Sequence, residues 1–327
     1  MTALPRPGHG LPCALRPGPP SASRCAPSTT RCRASGTPAA RPDRGKRGRR
    51  RPRPGRRRRR GRDHRGGLRH PAEEGGGGKI EMLDRGAFTG ADLAMMVHPA
   101  PVDVAEARPF AVSHSRISYT GRSAHAAAYP EAGVNAADAF TVAQVAIGLL
   151  RQQLPPTTRV HGIVTHAGDA PNAIPERAEG RWYVRAETLA ELERLEPRVL
   201  RAFEAGALAT GCELDVEPES KPYAEFRADE TALADYRANA VALGRRFAPA
   251  ETAARMNRAS TDMGNVSQVV PAIHPYIGIG SLPATNHQRE FAAFCVGQAA
   301  RRALLDGAVA LAWTAVDRAA RGPSAKP

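Results

Sequence analysis

Three observations predict an α/β protein with an inserted ferredoxin-like α+β unit. An acidic, glycine-rich turn occupies residues 71–80, a β-α-β-β-α-β succession runs through residues 110–220, and further strands and helices follow to the C-terminus. Residues 1–70 stand apart from this plan. They hold 21 Lys and Arg against 2 Asp and Glu, whereas residues 71–327 hold 26 against 30. The formal charge of +15 is therefore a property of the first segment, and the body is mildly acidic. That segment is rich in Arg, Pro and Gly with no apolar periodicity of helical or strand type, so it is expected to be disordered.

The turn P-A-E-E-G-G-G-G-K-I sets Glu73 beside Glu74. Two adjacent carboxylates allow one to hold a metal while the other moves a proton, and glycines let the backbone pass close to such a site. An acidic surface turn ahead of a helix is the other reading of the same residues. Next, A-D-L-A-M-M-V-H-P-A-P places His98 at the end of a buried strand, where α/β proteins build their sites. A neutral imidazole there is either a zinc or manganese ligand or a structural histidine.

The unit at 110–220 reads element by element. F-A-V-S-H-S-R-I-S-Y-T-G alternates as a strand, and Val134 to Leu154 repeats apolar residues at helical spacing. R-V-H-G-I-V-T-H-A-G and G-R-W-Y-V-R-A-E-T are two more strands joined by the turn-rich D-A-P-N-A-I-P. Leu189 to Ala209 is a second amphipathic helix and C-E-L-D-V-E-P a fourth strand. Inserted between Glu74 and the C-terminal part, this unit is expected to be a lid over a discontinuous domain, 71–109 with 221–327. Within it, G-R-S-A-H-A-A puts His125 on a strand-to-helix loop, where it either acts on a substrate or completes a capping turn. The C-terminal part carries Asp262, His274 and His287 ahead of a closing helix expected from Glu290 to Arg318. His287, in the polar loop T-N-H, can reach a site, whereas His274 between Ile273 and Pro275 reads as packing.

Cys13, Cys25, Cys32, Cys212 and Cys295 show neither zinc-ribbon nor paired-disulfide spacing, which points to a reducing cytoplasm. No run approaches the roughly 18 apolar residues that span a bilayer, so no membrane association is expected. Arginines without interleaved aromatics offer only salt-sensitive phosphate attraction, so nucleic acid is not the expected partner.

In this order, P-A-E-E-G-G-G-G-K, A-M-M-V-H-P, G-R-S-A-H-A-A-A-Y-P-E-A-G-V-N-A-A, A-P-N-A-I-P and S-T-D-M-G-N-V-S resemble peptidase family M20. These are the zinc aminoacylases and dipeptidases, and the resemblance, from His70 to about Arg318, is to their amidohydrolase branch. It implies a three-layer, mostly parallel zinc-peptidase domain, incomplete here, with the ferredoxin-like unit as lid and dimerisation domain. It implies two divalent metals, zinc or manganese, and a homodimer formed through the lids. Glu73 would be the general base, Glu74, His98 and His287 metal ligands, and His125 and Asn172 substrate contacts. The implied reaction is hydrolysis of an amide in an N-acyl amino acid, an aminobenzoyl-glutamate-like compound or a dipeptide.

The family's opening metal motif, G-H-A-C-G-H, is absent from the chain as written. Back-translated with GC-rich codons and read from the third base of the first codon, Pro27 to Ala40 can spell V-D-D-A-L-P-G-I-G-H-A-C-G, each shifted position permitting about four residue types. Residues 1 to about 70 are accordingly expected to be a frameshifted reading of a catalytic N-terminus. Resequencing checks this: missing or extra bases are the expected result, and an intact nucleotide sequence refutes it. Two other readings stay open, a catalytically dead dimer joined through the lid and a nucleic-acid binder using the Arg-rich tail.

Overall fold

The computed structural model describes residues 67–69, 72, 75–106 and 108–321. The expectations for residues 1–66, and for Glu73 and Glu74, lie outside the described residues. The elements in chain order are α1 (Gly78–Asp84), β1 (Ala94–Met95), β2 (His98–Ala100), β3 (Ala111–Thr120), α2 (Ala136–Arg151), β4 (Arg159–His166), β5 (Arg177–Ala186) and α3 (Leu189–Thr210). They continue with β6 (Glu213–Pro218), α4 (Glu230–Ala242), α5 (Ala250–Met256), α6 (Met263–Ser267), β7 (Ala272–Ile273), β8 (Tyr276–Gly278), α7 (Arg289–Phe294) and α8 (Gln298–Arg321).

Strands β3, β4, β5 and β6 form one antiparallel sheet in the order β4-β5-β3-β6, with α2 and α3 between them in sequence. This is the ferredoxin-like arrangement. Alternation decides its faces: Ile117, Tyr119, Ala178, Trp182 and Val184 are buried toward the helices. Phe140 of α2 stacks on Trp182 at 5.1 Å, Phe203 of α3 meets the same indole edge-on at 5.2 Å, and the Tyr119 hydroxyl donates to the Phe203 carbonyl at 2.7 Å. That bond satisfies a polar group buried in the middle of an apolar core. Both helices start on side-chain caps, Asn135 accepting from Ala137 N–H and Thr188 from Glu191 N–H.

The opposite face of the sheet carries Arg116 and Ser118 from β3, Arg181, Tyr183 and Arg185 from β5, His161 from β4 and Glu217 from β6, as the register requires. Val112 and Tyr183 of this side pack with Ile80 and Tyr223, and its charged residues lie where it borders the glycine-rich turn at Gly76.

Outside the lid, β1 pairs with β7 and β2 with β8, both parallel, and α4 packs against α8. Asp235 of α4 binds Arg321 of α8 through both oxygens, and Asn239 donates to Asp317 at 2.8 Å. Two sequence expectations are corrected here. The closing helix is not continuous from Glu290 to Arg318: it breaks into α7 and α8 around Cys295 to Gly297, where glycine interrupts the run. His98 does not end a buried strand. It opens the short strand β2 and is half-buried, because pairing is interrupted over Met96 and Val97.

The lid's two connections are tied together at their base. Val112 and Tyr223 exchange backbone hydrogen bonds of 3.0 and 2.9 Å. Just beyond, α6 holds the chain leaving the lid. Asn265 accepts from Ala224 N–H, Ser267 accepts from Arg227 N–H, and Gln268 donates to the Glu225 carbonyl. Gly264 makes that approach possible, since a Cβ there would lie 1.9 Å from the Ala224 carbonyl oxygen. The string S-T-D-M-G-N-V-S is thus chiefly a device for fixing the lid's exit strand.

Candidate active site

The glycine-rich turn reaches the described residues at Gly75. Gly76 and Gly77 have φ of 95° and 63°, the left-handed region that glycine enters without strain. Gly77 N–H donates to the Tyr223 hydroxyl at 3.0 Å, so the residue that closes the lid's base also holds the turn following Glu74. Lys79, next along, is buried at 2% exposure against Asp262 at 0%. The ammonium donates to Asp262 Oδ1 at 2.5 Å, while the Lys79 backbone N–H donates to Oδ2 at 2.9 Å. Asp262 is therefore engaged by Lys79 at both oxygens and is not a free metal ligand.

His98 Nδ1 lies 2.8 Å from the Pro99 carbonyl. A carbonyl only accepts, so the contact is a hydrogen bond when Nδ1 carries the proton, the tautomer of the neutral ring that leaves the lone pair on Nε2. A backbone carbonyl that fixes the tautomer in this way is the usual outer partner of a metal-ligating histidine. Asn286 donates to the same carbonyl at 3.2 Å, which brings the loop bearing His287 to the His98 strand. His287 is exposed, and its φ of 69° is a left-handed conformation costly for a residue other than glycine. Such strain collects at binding sites. A cavity of about 600 Å3 opens along this loop, lined by Ser281, Ala284, Gln288 and Phe294 among others.

His274 packs 6.0 Å from His98 and 5.2 Å from Tyr276, ring to ring. It is buried, with no hydrogen-bond partner at either ring nitrogen among the described residues. Burial, aided by the neighbouring His98, pushes its pKa down to about 3, so it is a neutral packing group.

In the lid, the structure brings His125 and Asn172 together. The two segments form a bridge at His125 and Ala173, and Ala126 N–H donates to the Asn172 carbonyl at 3.0 Å. His125 Nδ1 accepts from Ala127 and Ala128 N–H at 3.2 and 3.1 Å, which fixes the ring in an exposed loop. The capping geometry and an accessible Nε2 thus coexist in one residue. Among the described residues no three His, Cys, Asp or Glu side chains gather into a metal cluster. The described part of the metal-ligand set expected from the sequence is His98 and His287.

Sequence reasoning missed Lys79, Tyr223 and the lid arginines. A lysine following four glycines and preceding Ile80 was the available signal for the first. A cavity of about 320 Å3 lies between the turn and the polar face of the lid sheet, lined by Gly76, Arg116, Arg181, Glu217, Pro218 and Glu219. Arg181 grips Glu219 with two hydrogen bonds of 2.5 and 2.7 Å.

A ferredoxin-like lid set into an α/β body defines the class of this protein. Residues 112–210 match the family described as the peptidase dimerisation domain, M20_dimer. The Xaa-Arg dipeptidase of Mus musculus is 42% identical over 247 residues, 76% of this chain and 57% of that protein. A p-aminobenzoyl-glutamate hydrolase component from Escherichia coli is 32% identical over 142 residues, 43% of this chain and 30% of that protein. Among solved structures, an aminobenzoyl-glutamate utilization protein from Klebsiella pneumoniae superposes with a TM-score of 0.52 at 19% identity. The match covers 75% of this chain and 60% of that one, and it shows the fold. The chain is a relative of the M20 peptidases and carries their dimerisation domain. It spans little more than half the length of the dipeptidases it matches.

Proposed function

We propose that this protein is a metal-dependent amide hydrolase acting on small substrates: dipeptides, N-acyl amino acids or aminobenzoyl-glutamate-like amides. The observation that carries the reading is the meeting of His98 and the His287 loop at the Pro99 carbonyl, with His98 Nε2 left free to ligate. The names of the relatives, a dipeptidase and an amide hydrolase, support it. Imidazole and carboxylate donors suit a divalent ion, and Glu74, His98 and His287 are the residues that would hold it. A bound zinc or manganese ion supplies Lewis acidity and lowers the pKa of water. Glu73 takes the proton from the attacking water and returns it to the leaving amine. His125, with Asn172 beside it, stabilises the oxyanion and holds the substrate, reached across a homodimer of lids. Exposed Val145 and Leu149 on α2 and Leu208 on α3 support such an association.

Metal analysis of the purified full chain tests this reading. His98→Ala is expected to weaken zinc binding on the order of 100-fold, while Glu73→Gln retains the metal and loses roughly 100- to 10,000-fold in turnover of a metal-loaded, frame-corrected chain. Equal zinc content and affinity in wild type and His98→Ala overturns it.

A further inference from the structure

His98 is held on more sides than strand pairing requires. Its backbone N–H donates to the Pro275 carbonyl at 3.0 Å, and its Nδ1 lies 2.8 Å from the Pro99 carbonyl. The ring itself is flanked by the two residues on either side of Pro275. His274 stands 6.0 Å from it, tilted by 34°, and Tyr276, its register partner across the β2–β8 pair, meets it edge-on at 5.5 Å. His274 and Tyr276 in turn meet edge-on at 5.2 Å. The three rings close a triangle in which every separation lies inside the range of aromatic contact. Pro275, with its fixed φ, sets the spacing of the two outer rings.

His274 is 2% exposed, and neither ring nitrogen has a hydrogen-bond partner among the described residues. A buried polar edge without a partner is unfavourable, so hydrogen bonding does not explain an imidazole at this place. The ring acts on its neighbours through its surface. That surface is shared with His98, with Tyr276 and, at 5.9 Å, with Phe226.

We propose that His274 is a positioning residue: with Tyr276 it forms a rigid cradle that holds the His98 ring against the Pro99 carbonyl, in one orientation and with its proton on Nδ1. This rests on the reading of His98 as a metal ligand and assigns the residues that aim it. A single hydrogen bond leaves a ring free to tip about that bond, and packing on two further sides removes the freedom. A ligand fixed in this way loses less entropy when it captures an ion. The segment I-H-P-Y thus serves His98 at three points, through the Pro275 carbonyl and the two rings beside it.

Two measurements on the full chain test the assignment: titration with zinc alone against a chromophoric chelator, and nitrogen–proton correlation spectra of the imidazoles recorded without metal. His274→Ala is expected to weaken zinc on the order of tenfold, the low end for outer residues of a metal site, and to move the His98 signals from the Nδ1–H form toward a mixture of tautomers. His274→Phe keeps a ring in the cradle and is expected to stay near wild type in both. Phe140→Leu, in the core of the lid, controls for lost stability and is expected to change neither. The proposal is overturned if His274→Ala leaves the His98 signals as they are in wild type, or if His274→Phe loses as much as His274→Ala. It is equally overturned if His274→Ala binds zinc as tightly as wild type while His98→Ala does not. Zinc binding that His98→Ala leaves unchanged counts against the metal-site reading alone, and the spectra then decide the cradle.

Discussion

Replacing Lys79 by Met lowers the thermal midpoint by roughly 6–20 °C. That range follows from about 3–5 kcal/mol for breaking a buried pair and about 2–4 °C per kcal/mol in a body of this size. The loss arises because the Asp262 carboxylate, at 0% exposure, is left without the ammonium at 2.5 Å that compensates its burial. Asp262→Ala costs more, since it also strands the Lys79 backbone N–H that donates to Oδ2. The double replacement Lys79→Met with Asp262→Leu recovers part of the loss, as a buried pair exchanged for apolar groups of similar volume is often neutral. The three melts together separate a lost partner from a lost attraction. A Lys79→Met protein melting within about 2 °C of wild type removes the pair from the account of stability. The same experiment bears on the site, because Lys79 lies five residues after Glu74 and Asp262 anchors the start of α1.

What was legible in the sequence was local. The β-α-β-β-α-β order of the lid follows from alternation in F-A-V-S-H-S-R-I-S-Y-T-G and helical spacing in the two helices, signals that need no distant partner. The loop carrying His125 was legible for the same reason. The contacts that organise the site join residues far apart in the chain. Lys79 and Asp262 are separated by 183 positions, and Gly77 and Tyr223 by 146. No periodicity reports such pairs. S-T-D-M-G-N-V-S drew attention as a possible source of ligands, yet its aspartate is taken by Lys79 and its Asn265 and Ser267 hold the lid's exit strand. The break between α7 and α8 went unread although Gly297 was visible, because apolar residues on both sides preserve the helical pattern.

Acid titration exposes the remaining coupling between lid and turn. His114 is buried against Tyr183 at 4.2 Å and Tyr223 at 4.8 Å, and Nδ1 lacks a hydrogen-bond partner among the described residues. Burial, with Arg185 nearby, lowers its pKa from 6.5 to about 4. The unfolded chain therefore takes up this proton first as the pH falls. The stability that neutral His114 preserves is complete above about pH 6.5 and is lost progressively toward pH 4, a total of about 3 kcal/mol at about 1.4 kcal/mol per unit. His161, also lowered by burial, acts in the same direction. His114→Leu cannot take up that proton, so the stability of wild type relative to the variant should fall by about 3 kcal/mol between pH 7 and pH 4 in urea unfolding. A difference independent of pH would show that His114 titrates normally and is not held neutral by its surroundings. Because Tyr223 accepts the Gly77 N–H, charging His114 beside that ring also strains the hold on the glycine-rich turn. Amide exchange at Gly77 is therefore expected to accelerate below about pH 5 in wild type relative to His114→Leu, after correction for intrinsic exchange.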